Sequence, residues 1–232
     1  MTRRRISGRR ETSPTIRNCI FEDNRRNGIG SAALIEDAGT NPEFYNCIFR
    51  NNGGTGGGDG GAVACTTSCS PLFSNCTFED NRDNRDGGGA LLIGNILPYE
   101  GSHPRLINCT FEGNECNLNN GKGGAVYITG LSIPLGNVPQ FTNCMFRENN
   151  AYQGGALWDA EGDCFIATIT NCQFLSNSAS SMGGAMSLDD DSCIIFGALT
   201  DSYFCGNMAP AYPDICEYSG ADLQHLENEH GC

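Results

Sequence analysis

Lysine is almost absent from this 232-residue chain: Lys122 stands alone, and the other basic residues are arginines. No apolar run approaches the roughly 18 residues that a membrane-crossing helix needs, which excludes a transmembrane helix. Arg3, Arg4, Arg5, Arg9 and Arg10 open the chain without an acid among the first ten residues. No apolar stretch of about 7–15 residues follows them, so the start does not read as a signal peptide. An exported form is therefore expected to be a mature piece or a fragment. Beyond residue 10 the charge is 9 basic against 27 acidic residues, or −18, within a total of −13. A body of that sign does not wrap nucleic acid by neutralising phosphates, and no nucleic-acid partner is expected. Paired Cys-x-x-Cys motifs are also missing, which removes the usual framework of a structural zinc site.

What the chain has in excess is glycine, 31 residues, and cysteine, 14 residues. The cysteines follow a repeat. Asn-Cys occurs at Asn18-Cys19, Asn46-Cys47, Asn75-Cys76, Asn108-Cys109, Asn143-Cys144 and Asn171-Cys172, with Asp201-Ser202 as a degenerate seventh copy. Two residues after each Cys position stands a phenylalanine (Phe21, Phe49, Phe78, Phe111, Phe146, Phe174, Phe204). Three residues further stands an asparagine (Asn24, Asn52, Asn81, Asn114, Asn149, Asn177, Asn207). Five copies then run on to Gly-Gly-Ala, from Gly60-Gly61-Ala62 to Gly183-Gly184-Ala185. Start-to-start spacings of 28, 29, 33, 35, 28 and 30 residues describe a constant coil with insertions at fixed corners.

Side-chain direction follows from the pattern. Ile16, Phe44, Phe73, Leu106, Phe141, Ile169 and Leu199, two before each first Asn, are all apolar and face inward. Strict alternation would then expose seven phenylalanines, so the phase must flip at the Asn-Cys asparagine. That makes it a corner residue, suited to the left-handed conformation. The second Asn is read as a turn, and the apolar residues after Gly-Gly-Ala form another inward strand. The prediction is an all-β chain: a single-stranded, right-handed parallel β-helix, a solenoid of about seven coils, about 30–35 Å long at one strand spacing per coil. Its expected divisions are an Arg-rich tail over 1–13, repeats over 14–207 and a C-terminal cap over 208–232.

The pairing of FEDN, FRNN, FEGN and FREN with GGAV and GGAL resembles the repeat of chlamydial polymorphic outer-membrane proteins and related pectin-lyase-like β-helix proteins, over residues 14–216. The resemblance implies the β-helix fold and a passenger, adhesin or scaffold role.

Several residues are candidates for more than packing. The six Asn-Cys thiols form an inward column and are expected to pack as small hydrophobes. Cys164 and Cys193 each lie nine residues past the second glycine of adjacent coils, which brings them within bridging range for a disulfide. The pairing of Cys65, Cys69, Cys116, Cys205, Cys216 and Cys232 stays open. Such bridges imply an oxidising setting: extracellular, cell-surface or an organelle lumen. Asp159, Glu161 and Asp163 in one loop and Asp189, Asp190 and Asp191 in the next form a candidate calcium site, weighed against a solvated acidic edge. No other cofactor is expected. The acid, histidine and lysine motifs that polygalacturonases carry are absent as a set, so no catalytic residue is assigned.

Binding is expected through loops. Ile96, Leu97 and Tyr99 in one long loop, with Leu131, Ile133 and Leu135 in the next, form a candidate partner site. The five arginines form another, for an acidic protein surface, lipid head groups or glycans. The resulting expectation is a non-catalytic adhesion or passenger-type module with a protein partner. The alternatives are an accessory subunit held by its arginine-rich start, and a polysaccharide-active enzyme.

Overall fold

The computed structural model describes residues 5–7, 13–54, 61–85, 87–94, 101–117, 119–129, 137–159, 167–188 and 199–217. Every paired strand among them is parallel, and the strands stack into four sheets. The first sheet holds eight strands, from Arg5–Ser7 and Ala33–Glu36 to Met186–Leu188 and Ile215–Glu217. The second runs from Thr15–Arg17 to Leu199–Thr200, and the third from Ile20–Glu22 to Tyr203–Cys205, with seven strands each. The fourth holds six short strands, from Arg25–Arg26 to Ser178–Met182. The fold is a parallel β-solenoid, as the repeat predicts.

Successive coils pair equivalent residues without a shift: Phe78 faces Phe49 on one side and Phe111 on the other. The phenylalanines therefore pile into a column. Ring centroids lie 4.7–4.9 Å apart from Phe21 through Phe49, Phe78, Phe111, Phe146 and Phe174 to Phe204. This is the spacing of hydrogen-bonded strands. Backbone pairing and ring stacking are thus satisfied by the same geometry.

The corners carry the phase flip. Asn18, Asn46, Asn75, Asn108, Asn143, Asn171 and Asp201 all have φ between 49° and 54°. Their side chains lie outside and form a ladder, with Asn108 Nδ2 donating to Asn75 Oδ1 at 3.2 Å and Asn143 Nδ2 to Asn108 Oδ1 at 3.1 Å. The second asparagine is a different device. The left-handed turn falls one residue earlier, at Asp23, Asn51, Asp80, Gly113, Glu148, Ser176 and Gly206. The asparagine itself points inward, and Asn81, Asn114, Asn149 and Asn177 are fully buried. At Gly-Gly-Ala, Gly88 adopts φ 69° and a side chain on Gly89 would collide with the Gly124 carbonyl of the next coil. The first glycine supplies the turn and the second lets two backbones touch.

Among the described residues, the strands of the first sheet from Ala33–Glu36 to Met186–Leu188 are largely buried on both faces. Leu34, Ala64, Leu92 and Trp158 point away from the solenoid interior, yet all are at most 5% exposed. Ile29 and Tyr127 pack against the first three, and Lys122 Nζ lies 4.5 Å from the Trp158 ring centroid. Runs such as Ala33-Leu34-Ile35 and Leu91-Leu92-Ile93 are the sequence form of a strand covered twice.

Two expected boundaries differ. Arg5–Ser7, expected within a tail, is a strand in register with Leu34, Ile35 and Glu36. Ile215–Glu217, expected within a cap, pairs with Met186–Leu188. Both segments lack the Gly-Gly-Ala signature but keep three extended residues, which suffices for a ladder. Phe111, fully buried between Phe78 and Phe146, tests the column. Phe111→Ala should cost about 3–5 kcal/mol in urea unfolding, because stacked rings cannot collapse into the gap. A loss under about 1 kcal/mol would show that the column does not carry the core.

Candidate functional site

The corner between the third and fourth sheets opens into a groove of about 450 Å3. Its floor comes from the repeat: after each inward asparagine the next residue turns outward, giving Arg25, Gly53, Arg82 and Glu115 in register. Gly53 leaves a gap between two arginines, and a side chain there would meet the Arg82 carbonyl at 2.7 Å. Asp80 and Gly113, at the left-handed corner, and Asn84 complete the lining.

The charges in the groove are mixed. Arg82 Nη2 pairs with Glu115 Oε2 at 2.7 Å, and Arg25 Nη1 donates to the Asn51 carbonyl. Asp80 adds a second carboxylate. Such a surface offers fixed donors and acceptors to a ligand rich in hydroxyls or amides, rather than a field of one sign. Surface pairs of this kind contribute little to stability, so their residues are free to serve recognition. The groove escapes a reading by loops because it sits in the constant part of the coil. Aligning the residue after each second asparagine would have exposed the column.

Of the residues singled out by sequence, Arg5 lies in the first strand of the first sheet, while Arg3, Arg4, Arg9 and Arg10 lie outside the described residues. Ile96, Leu97, Tyr99, Leu131, Ile133 and Leu135 also lie outside them, as do Cys164 and Cys193. The same holds for Glu161, Asp163, Asp189, Asp190 and Asp191. Asp159 is placed, and differently from expectation. It ends the strand Leu157–Asp159, is 2% exposed, and stands in register between Ile128 and Leu188, not in a solvated loop. Among the described residues no group of three or more His, Cys, Asp or Glu is arranged to hold a metal ion.

The cysteines divide into two kinds. Cys65 and Cys69 are bonded to each other across the bend at Thr67 and Ser68, and Cys205 is also disulfide-bonded. The six Asn-Cys thiols are free. Cys47, Cys76, Cys109, Cys144 and Cys172 are buried, and only Cys19, in the first coil, is exposed. Burial pushes the Cys47 thiol up from the ordinary thiol range. An unfolded thiol ionises above about pH 8.5, whereas the folded one keeps its proton, so stability falls as pH rises through this range. Between about pH 8.5 and the raised folded value, Cys47 should lower the unfolding free energy by up to about 1.4 kcal/mol per pH unit. Urea titrations of the wild type and Cys47→Ala across this range should diverge in slope, the variant being flatter. Parallel slopes would rule the effect out.

A family model described as the right-handed β-helix region matches residues 5–182. Metabotropic glutamate receptor-like protein R of Dictyostelium discoideum is 28% identical over 172 residues, covering 65% of this chain and 10% of that protein. The chain spans about a tenth of the length of this curated relative. No solved structure matches it.

Proposed function

The chain belongs to the right-handed β-helix family, and from that premise we propose that it is a non-catalytic recognition module working outside the cell. The observation that carries this reading is the groove at Arg25, Gly53, Arg82 and Glu115, where a rigid ladder presents the Arg82–Glu115 ion pair beside Arg25, itself held on the Asn51 carbonyl. Paired groups hold a ligand in place without being poised to transfer a proton. The receptor-like name of the Dictyostelium relative supports a surface setting. So do the resemblance to chlamydial passenger repeats and the Cys65–Cys69 bond, since disulfides persist in oxidising compartments. Adhesion through the groove, with the apolar residues that the sequence places in segments 94–103 and 129–138 as additional contacts, is the finer form of the proposal.

Two other roles have specific support. The arginine-rich start, Arg3 to Arg10, suits an accessory subunit docked on an acidic surface. Asp80 and Glu115 in one groove suit a polysaccharide-active enzyme, which needs two carboxylates near the scissile bond. The deciding experiment probes immobilised plant, microbial and animal glycans and extracellular-matrix proteins with the intact chain. Saturable binding without release of reducing or unsaturated ends is expected. Arg82→Ala should weaken it at least about tenfold while changing stability by less than about 1 kcal/mol. Product release, or binding indifferent to Arg82→Ala, would overturn the proposal.

A further inference from the structure

The buried Asn-Cys thiols form a second column inside the solenoid, beside the phenylalanines. The residues that follow them, Ile48, Thr77, Thr110, Met145 and Gln173, pair in register from coil to coil. Cys47, Cys76, Cys109, Cys144 and Cys172 are therefore stacked on one another, each at most 2% exposed. Their side chains repeat one conformation. Each Sγ lies 3.4–3.5 Å from the carbonyl oxygen two residues earlier in its own coil. It also lies 3.5–3.7 Å from a carbonyl oxygen of the preceding coil. Sulfurs held alike in stacked coils repeat at the coil spacing, which the adjoining phenylalanine rings show as 4.7–4.9 Å. The column ends at Ser202, whose Oγ accepts from the Cys172 N–H at 3.1 Å, just as Cys172 Sγ accepts from the Cys144 N–H at 3.4 Å.

Packing alone does not call for sulfur at this place. Where the coil needs only a small inward residue it uses alanine, as at the buried Ala62, Ala90, Ala125, Ala156 and Ala185. Half the coil spacing, about 2.4 Å, is close to a metal–thiolate bond of about 2.3 Å. A cation midway between two neighbouring sulfurs therefore reaches both at bonding distance and in a straight line. We propose that this column is a soft-metal site, in which neighbouring thiolates hold Cu(I) in linear S–Cu–S coordination. Thiolates select soft ions of this kind, and Cu(I) is content with two ligands. Zinc is not, since it gathers four ligands around one point. Among the described residues no group of three or more ligands is arranged for a metal, and a linear site needs none.

The uptake balances. Each Cu(I) that enters replaces one thiol proton, which leaves to solvent, so the buried column gains no net charge. Five stacked sulfurs enclose four gaps, so a full column holds four ions, with Cys76, Cys109 and Cys144 each bridging two. Hydrogen bonds from the Cys109 and Cys172 thiols hold Cys144 well below the ordinary thiol range, which favours a thiolate between two sulfurs before any metal arrives. Each cysteine follows an exposed corner asparagine directly, so the path from solvent is one residue deep. The inference is independent of the groove at Arg82, and failure of either leaves the other standing.

The test is an anaerobic titration of the intact chain with Cu(I) in competition with the chelator bicinchoninate, alongside Cys109→Ala and Cys116→Ala. Cys116 is also a buried free thiol, but it stands outside the column. Cys109→Ala removes the gaps on both of its sides and should lower the number of ions bound by two, whereas Cys116→Ala should lower it by none. Protons released should equal ions bound. X-ray absorption at the copper edge of the loaded wild type should show two sulfur neighbours per ion, a readout that stands even where Cys109→Ala fails to fold. No uptake against the chelator, uptake indifferent to Cys109→Ala in a folded variant, or three or more ligands per ion would overturn the proposal.

Discussion

The inward asparagine ladder is the interaction on which the rest of this structure depends. Each buried amide accepts the backbone N–H and side-chain amide of the preceding coil's asparagine. It then donates both to the next asparagine and to a phenylalanine carbonyl two coils away from that next one. For Asn114 these contacts lie between 2.9 and 3.1 Å. A buried amide left unpaired is costly, so every coil is forced into the one register that satisfies its neighbours. Phenylalanine stacking would tolerate small slips along the strand, but the amide ladder does not. The aromatic column contributes the apolar burial and the asparagine column fixes where it falls.

That division explains what was legible in the sequence. The phase flip at Asn-Cys could be derived because seven phenylalanines cannot all face water, and the left-handed φ at those asparagines follows. The second asparagine could not be placed in the same way. As a polar residue it reads as a turn, and only its hydrogen bonds in the structure show that it is interior. A hint lies one position earlier, where Asp23, Asn51, Asp80, Gly113, Ser176 and Gly206 are the small polar residues and glycines that a left-handed turn favours, with Glu148 the exception. Arg5–Ser7 and Ile215–Glu217 were missed as strands because a ladder partner, not a sequence signature, makes them extended.

Rigidity and surface follow from the same ladder. Outward side chains such as Arg25, Arg82 and Glu115 take no part in the core, so neighbouring coils can place them in one row, with glycine at 53 where the next coil's backbone comes close. The charge pairs on the outer face of the third sheet, Arg50 with Glu22 and Arg147 with Glu112, show the same freedom.

The most direct measurement compares the two asparagine ladders by urea unfolding of Asn114→Ala and Asn108→Gly. Asn114 is buried and its loss strands groups on Asn81, Asn149 and Phe78, so at least about 3 kcal/mol should be lost. Asn108 lies on the exposed ladder with φ 53°, and glycine keeps that backbone geometry, so the loss should stay under about 1 kcal/mol. Equal losses from the two substitutions would contradict the account.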